Sequence, residues 1–119
     1  MSILFVEYPK CTTCRRAKKF LGENNLDFID RNIAEDKPSK DELREWLGKS
    51  GLTINKFFNT SGKLYREMGL KDKVKTLREE ELLEILASDG MLVKRPIIVT
   101  DEVVMVGFKE EEWIEKLKK

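Results

Sequence analysis

Short apolar runs alternate with longer amphipathic stretches along this chain, and their order predicts the fold. Ile3–Tyr8 is rich in β-branched and aromatic residues, which is typical of a mostly buried strand, and Pro9 ends it. Residues 12–22 then carry apolar side chains at helical spacing. The residues on the apolar side are Cys14, Ala17, Phe20 and Leu21. Leu26–Ile33 predicts a second strand, so the first forty residues are expected to form a β-α-β unit with parallel strands.

The middle of the chain, residues 39–89, has helical spacing throughout. Ser39 followed by Glu42 is a capping box, which predicts the start of a helix. Thr76 and Glu79 form the same pattern ahead of a second, strongly apolar helix. We therefore expect this part of the chain to be a block of helices.

Two strands and a helix are predicted at the end of the chain. Lys94–Thr100 and Val103–Phe108 are short β-forming runs on either side of Asp101 and Glu102, which suggests a tight antiparallel hairpin. Residues 109–119 return to helical spacing and predict a last helix.

The order of these elements predicts an α/β protein with a thioredoxin-like fold. Without the middle block, β-α-β followed by β-β-α is the thioredoxin arrangement, a four-stranded mixed sheet flanked by helices. We expect a single domain over residues 1–119. In this interpretation residues 1–36 and 91–119 form the thioredoxin-like core, and residues 37–90 are a helical insertion.

Composition narrows the classes of function. The 119 residues are 40% hydrophobic and 38% charged, which is typical of a globular protein, and the net charge of +1 predicts neither direct nucleic-acid binding nor membrane binding. The first nine residues are too short for a signal peptide, so we expect a cytoplasmic protein. The chain contains no histidine, which excludes Ser-His-Asp triads, Cys-His dyads and histidine-ligated metal sites.

Candidate chemistry lies at Cys11 and Cys14, where the first strand gives way to a basic helix. A zinc site needs four ligands, which this pair alone cannot supply, so no metal or other cofactor is predicted. Two buried structural thiols would not need Lys10 and Arg15 beside them. A CxxC between a strand and a helix favours a redox-active dithiol over these two alternatives.

The helix start gives the two cysteines different roles. Cys11 precedes the first turn, where unpaired N–H groups and the helix dipole stabilise a thiolate. Lys10 and Arg15 are expected to lower the pKa of Cys11 further and to bind anions. Cys14 lies one turn further along, so Cys11 is predicted to attack a substrate and Cys14 to resolve the mixed disulfide.

Four stretches together resemble the arsenate reductase (ArsC)/Spx family: YPKCTTCRRAKKFL, DRNI, KRPIIV and VGFKEEEW. The resemblance covers essentially the whole chain and implies a thioredoxin fold with a helical insertion. It places Cys11 at the family's catalytic cysteine and Arg95 at an oxyanion-binding arginine. Thr12 is expected to shape the site, and so is Pro96, which by analogy with thioredoxin folds should follow a cis peptide bond.

The resemblance to the arsenate reductases is incomplete. Those enzymes hold the oxyanion with three arginines, and only Arg95 is matched, because the other two positions read Asn59 and Gly107-Phe108. An oxyanion needs several convergent charge-assisted donors. We therefore expect this chain to be a poor arsenate reductase.

Two functions follow from the resemblance, both for a cytoplasmic, bacterial protein. The first is a thiol–disulfide oxidoreductase acting through Cys11, with glutaredoxin and glutathione, or thioredoxin, as electron donor. The second is an Spx-like regulator, in which a Cys11–Cys14 disulfide switches a surface that binds the C-terminal domain of the RNA polymerase α subunit. Gly51 lies near the glycine that Spx uses at that contact. The sequence does not choose between the two.

Overall fold

The computed structural model describes residues 2–118 and contains the four-stranded mixed sheet that the sequence predicts. The strands are β1 (Leu4–Glu7), β2 (Ile29–Asn32), β3 (Ile97–Val99) and β4 (Val104–Val106). Their order across the sheet is β2-β1-β3-β4. β1 runs parallel to β2 and antiparallel to β3, and β3 runs antiparallel to β4. The β-α-β and β-β-α units are therefore confirmed.

Helices connect and cover the strands. Within residues 2–118 the α-helices are α1 (Thr12–Glu23), α2 (Lys40–Ser50), α3 (Lys63–Glu67), α4 (Leu70–Thr76), α5 (Glu79–Ser88) and α6 (Glu110–Leu117). Short 3₁₀ turns occupy Ile54–Phe57 and Gly90–Leu92. The predicted block of helices is present, since α2 to α5 lie between β2 and β3 in the chain. No helix in this part of the protein is long and apolar enough to cross a membrane.

The sheet separates two apolar cores, because successive side chains of a strand point to opposite faces. On β1, Phe5 packs into the core beneath α1 and α6, whereas Val6 packs into the core formed with α2 to α5. Trp113 of α6 is fully buried in the first core. Its ring meets Phe5, Phe20 and Phe108 edge to face, with centroids 6.4, 6.0 and 4.8 Å away. These contacts attach α1 and α6 to the same sheet face.

The second strand is shorter and more exposed than its apolar composition predicts. The pattern indicated Leu26–Ile33, but β2 covers Ile29–Asn32 and is an outer strand of the sheet. Ile29 is 62% exposed. Leu26 and Phe28 precede the strand and pack as partly buried residues against the core beneath α1.

The first capping box is confirmed. The Ser39 hydroxyl accepts from the N–H of Glu42 at 3.1 Å, and the Glu42 carboxylate accepts from the N–H of Ser39 at 3.0 Å. Arg31 of β2 also donates to both oxygens of Glu42, at 2.6 and 2.9 Å. This bidentate contact lowers the pKa of Glu42 to about 2 and attaches the start of α2 to the sheet.

The second capping box is wrong by two residues. Thr76 is the last residue of α4, and its hydroxyl donates to the carbonyl of Lys73 at 3.5 Å. α5 begins only at Glu79, after Arg78, whose N–H donates to the carboxylate of Glu81 at 3.5 Å. The end of the preceding helix thus decides where the next one starts, which the spacing of Thr76 and Glu79 does not reveal.

Gly90 packs tightly against the backbone at the end of β2. A Cβ built on Gly90 would lie 2.0 Å from the carbonyl oxygen of Ile33. Only glycine fits there, and it lets the turn at Gly90–Leu92 rest on the end of β2. The chain then passes through a cis Arg95-Pro96 bond into β3, as predicted.

Candidate functional site

The two cysteines lie at the start of α1. Cys11 is the extended residue just before the helix, and its N–H donates to the carbonyl of Tyr8 at 2.9 Å. Cys14 lies in the first turn and is fully buried, whereas Cys11 is half-buried. Both thiols are free in this structure. One helical turn therefore separates an accessible thiol from a buried one.

Cys11 has an environment that favours its thiolate. Burial opposes ionisation, but it is outweighed by hydrogen bonds from the N–H and thiol of Cys14 and from the N–H of Thr13, together with the positive charge of Arg95. The net effect lowers the pKa of Cys11 below its ordinary value. Arg95 is the charged side chain that contributes, rather than Lys10 or Arg15.

Cys14 is shifted in the opposite direction. Burial is the largest cause, and the neighbouring Cys11 adds to it, which together raise the pKa of Cys14 to about 12. The N–H of Tyr8 donates to the Cys14 sulfur at 3.5 Å and acts against this rise. Of the two thiols, Cys11 therefore gives up its proton more readily than Cys14.

A cavity of about 360 Å³ opens beside Cys11. Four parts of the chain line it: the start of α1, residues 59–61, the segment before β3 and the segment after β4. Its charged lining residues are Lys94, Arg95 and Lys109, and no carboxylate of residues 2–118 lines it. The accessible thiol thus faces a cationic cavity, which suits an anionic substrate group or a thiolate.

Arg95 is held by the chain that leads into β3. Its Nη1 donates weakly to the carbonyls of Met91 and Val93, at 3.4 and 3.5 Å, and its guanidinium lies 5.1 Å from the centre of the Tyr8 ring. Its Nε is buried and has no hydrogen-bond partner among the described residues. The guanidinium is therefore positioned next to the cysteine loop with hydrogen-bonding capacity unused.

The structure brings some of the predicted site residues together and leaves others apart. Cys11 and Arg95 line the cavity, Cys14 lies in the helical turn behind Cys11, and Pro96 follows Arg95 into β3. The remaining three, Lys10, Thr12 and Arg15, are exposed and do not line the cavity. Arg15 instead donates through Nε to the carbonyl of Pro9 at 2.9 Å, which braces the cysteine loop.

Sequence reasoning missed Lys94 and Lys109 as site residues. They lie just outside the two ends of the β3–β4 hairpin, where antiparallel pairing brings both ends to one place. The hydrogen bond from the N–H of Gly107 to the carbonyl of Pro96, at 2.8 Å, fixes this proximity. The available signal was a basic residue at the start of the predicted hairpin, Lys94, and another directly after its end, Lys109.

The positions that lack the reductase arginines also belong to this cavity. Asn59, Gly107 and Phe108 all line it. The Asn59 amide donates to the carbonyl of Met91 at 3.4 Å, and Gly107 has a positive φ of 82°. The departures from the reductase pattern are thus at the site itself. Within residues 2–118 no three His, Cys, Asp or Glu side chains are grouped so that they could hold a metal ion.

A buried carboxyl lies four residues before Cys11. Glu7, the last residue of β1, is only 4% exposed. Burial, followed by the hydrogen bond and the negative charge of Asp30, raises the pKa of Glu7 to about 7, although Lys18 opposes the rise. Lys18 of α1 pairs with Asp30 of β2 at 2.9 Å. This cluster joins the helix that carries the cysteines to the two parallel strands.

Comparisons with known proteins find relatives that match nearly the whole chain. The protein YusI of Bacillus subtilis, whose name describes it as uncharacterized, is 54% identical over 115 residues, which cover 97% of this chain and 98% of YusI. The global transcriptional regulator Spx 1 of Oceanobacillus iheyensis is 30% identical over 104 residues, covering 87% of this chain and 78% of the regulator.

Comparison with solved structures also finds relatives that match nearly the whole chain. A putative ArsC family related protein from Bacteroides fragilis superposes with a TM-score of 0.94 at 50% identity, over 97% of each chain. A possible arsenate reductase from Streptococcus mutans superposes with a TM-score of 0.85 at 45% identity, over 92% of this chain and 95% of that one. The model of the ArsC family matches residues 6–116. With the fold and nearly the whole length in common, this chain belongs to the ArsC family.

Proposed function

We propose that this protein is a thiol–disulfide oxidoreductase in which Cys11 attacks and Cys14 resolves. The observation that carries the proposal is the opposite displacement of the two pKa values, downward for Cys11 and upward to about 12 for Cys14. The low-pKa thiol is the one that lines an open cavity. A nucleophilic cysteine needs both properties.

The reaction proceeds in two exchanges. The Cys11 thiolate attacks one sulfur of a substrate disulfide, the substrate S–S bond breaks, and the departing thiolate takes a proton from water. Cys14 then loses its proton and attacks the Cys11 sulfur, which releases the second substrate thiol and forms the Cys11–Cys14 disulfide. Two electrons pass from the protein to the substrate.

The first exchange prepares the second. In the mixed disulfide Cys11 no longer carries a charge or a thiol proton, so its contribution to the high pKa of Cys14 disappears. The N–H of Tyr8, at 3.5 Å from the Cys14 sulfur, stabilises the thiolate that must form. Occupation of Cys11 therefore removes one cause of the high pKa of Cys14, while burial, the largest cause, remains.

The dithiol is regenerated by an external reductant, and we propose glutaredoxin with glutathione, or thioredoxin. Arsenate is a poor substrate in this proposal. Lys94 and Lys109 add charge to the cavity, but an ammonium is a point charge and does not replace the two-pronged contact of an arginine.

Turnover of a small neutral disulfide tests the proposal. Hydroxyethyl disulfide is supplied with thioredoxin and its NADPH-dependent reductase, or with glutaredoxin, glutathione and glutathione reductase, and turnover is taken as the consumption of NADPH above that of the donor system alone. Turnover that Cys11→Ser abolishes supports the proposal. Absence of turnover with both donors, in a protein whose thiols are reduced at the start, rules it out.

A redox-switched regulator is the second candidate, since a relative is the global transcriptional regulator Spx 1. Gly51, the exposed residue that ends α2 with a φ of 70°, supports it as a place where a partner could approach the backbone. Capture on the immobilised C-terminal domain of the RNA polymerase α subunit, with reduced and oxidised protein, tests it. Binding that depends on the Cys11–Cys14 disulfide supports the regulator, whereas no binding in either state excludes it.

A further inference from the structure

A second cleft adjoins the cysteine cavity on the same face of the protein. It has a volume of about 490 Å³ and shares Lys94, Val106 and Lys109 with the cavity beside Cys11. The shared residues place the two depressions side by side. A ligand in the second cleft would therefore lie next to the cavity that the accessible thiol lines.

The rim of this cleft is cationic. Its five lysines are Lys56, Lys71, Lys75, Lys94 and Lys109. No carboxylate of the described residues lines the cleft, and none of the ion pairs found within residues 2–118 involves these lysines. Four lysines outside the cleft are paired, as Lys40 is with Glu80 and Glu84 at 3.0 Å each. The net charge of the chain is only +1, so this unmatched positive charge is local.

The floor of the cleft is apolar. The accessible apolar side chains are those of Val74 and Val106, which are partly exposed, and the largely covered rings of Phe58 and Tyr65 lie beneath, with centroids 6.0 Å apart. Leu52 adds a 40% exposed side chain at the edge. An apolar floor under a rim of lysines matches a ligand with one apolar group flanked by negative charges.

We propose that this cleft docks an acidic polypeptide segment of the disulfide substrate, with an apolar side chain on the floor and carboxylates on the lysines. The inference rests on the proposed function, because it names the class of substrate that Cys11 reduces. Docking holds the segment so that a neighbouring disulfide reaches the cavity of Cys11.

The side chains favour a peptide over a nucleic acid. Phosphates are recognised especially well by arginine forks, but no arginine lines this cleft. Bases stack on exposed aromatic faces, whereas Phe58 is 1% and Tyr65 9% exposed. Exposed lysine–carboxylate pairs are individually weak, so we expect each to change affinity by roughly 1.5- to 5-fold, with a strong dependence on salt.

Binding is measured separately from chemistry. The protein is the Cys11→Ser variant, and the probe is a fluorescein-labelled peptide in which one leucine is flanked by glutamates. The fluorescence anisotropy of the peptide measures its affinity for the protein. Lys71→Glu/Lys75→Glu reverses two charges of the cleft without touching the cysteine cavity. Lys19→Glu/Lys116→Glu is the matched control, because it makes the same change in net charge at exposed lysines outside the cleft.

We expect the cleft variant to bind the acidic peptide about tenfold more weakly and to prefer a matched lysine peptide, while the control keeps its affinity. Equal losses in both double variants would overturn the proposal, and so would tighter binding of a single-stranded oligonucleotide of the same charge. No binding of the acidic peptide at low salt would also overturn it.

Chemistry is then tested with intact cysteines. Reduction of a disulfide-linked acidic peptide should have about tenfold lower kcat/KM in Lys71→Glu/Lys75→Glu, whereas hydroxyethyl disulfide should be reduced as by the unaltered protein. A protein that binds the peptide but reduces neither disulfide contradicts the proposed function and leaves the docking result standing. Equal losses for both disulfides contradict a docking role.

Discussion

The N–H of Tyr8 donates to the sulfur of Cys14 at 3.5 Å, although Cys14 is the buried and weakly acidic member of the pair. The donor belongs to the loop between β1 and α1, and the carbonyl of the same residue accepts from the N–H of Cys11 at 2.9 Å. One residue of the loop thus contacts both cysteines. The thiolate that Cys14 must form in the proposed reaction would therefore have a hydrogen-bond donor, the N–H of Tyr8, in place.

Arg95 should control the acidity of Cys11. In Arg95→Met we expect the pKa of Cys11 to rise, because the positive charge that lowers it is removed. Alkylation by iodoacetamide against pH, in a Cys14→Ser background, measures this pKa. Lys10→Met is the control, since Lys10 is adjacent in sequence but is not among the causes that lower the pKa. An upward shift in Lys10→Met and none in Arg95→Met would contradict this account.

Glu7 should make stability depend on pH. The ordinary pKa of its carboxyl is 4.5 and the folded value is about 7, so between these pH values the folded state binds more protons than the unfolded state. The free energy of unfolding should therefore fall as pH rises from about 4.5 to about 7. Asp30 has a lowered pKa, so its opposite contribution is lost only at more acidic pH.

Glu7→Gln tests this directly. At pH 8 the variant should be more stable than the unaltered protein by about 2 kcal/mol, and at pH 4.5 the two should be nearly equal. Urea unfolding at both pH values measures the difference. Parallel pH profiles of the two proteins would show that Glu7 ionises as freely in the folded chain as in the unfolded chain.

Gly90 and Gly48 should respond to alanine in opposite ways. Gly90→Ala forces a methyl group onto the Ile33 carbonyl, 2.0 Å away, and should destabilise the protein by about 3 kcal/mol. Gly48 lies inside α2 with open space around it, so Gly48→Ala should stabilise by roughly 0.5–1 kcal/mol. Thermal and urea unfolding distinguish these outcomes. An unaffected Gly90→Ala protein would mean that the turn at Gly90–Leu92 can move away from β2.

Arsenate reduction should be slow and should improve with one added arginine. Two missing charge-assisted hydrogen bonds, at about 1.5–3 kcal/mol each, correspond to a turnover roughly 10² to 10⁴ times slower. Asn59→Arg restores a guanidinium to the lining of the cavity and should raise turnover about tenfold or more. Asn55→Arg adds the same charge outside the cysteine cavity and should not. Fast arsenate turnover by the unaltered protein, abolished in Cys11→Ser, would contradict the expectation.

The sequence predicted correctly those elements that depend on interactions between residues close together in the chain. The run before Pro9, the helix that carries Cys14 and the Ser39–Glu42 box are each decided within a few residues, and each is present. The Thr76–Glu79 box failed because the preceding helix uses Thr76 as its last residue. The division into a core of residues 1–36 and 91–119 with an insertion at 37–90 stays a prediction.

Only the part of the candidate site that forms a continuous sequence motif was predictable. Cys11 and Cys14 are visible as a motif, but the contribution of Lys94 and Lys109 depends on the pairing of β3 with β4. The environment of Glu7 likewise depends on the register of β1 and β2, which pairs Phe5 with Asp30. Glu7 lies two residues after Phe5 on β1, so the Asp30 carboxylate of β2 lies beside it. Both effects depend on how strands pair, which the spacing of residues within one strand does not reveal.

Trapping the intermediate tests the central claim most directly. Reduced protein is mixed with hydroxyethyl disulfide, quenched with acid, alkylated, and mapped by mass spectrometry. We predict a Cys11–Cys14 disulfide in the unaltered protein, a mercaptoethanol adduct on Cys11 in Cys14→Ser, and no adduct in Cys11→Ser. An adduct on Cys14, or a stable Cys11 adduct in the unaltered protein with no internal disulfide, would contradict the assignment of Cys11 as nucleophile and Cys14 as resolving thiol.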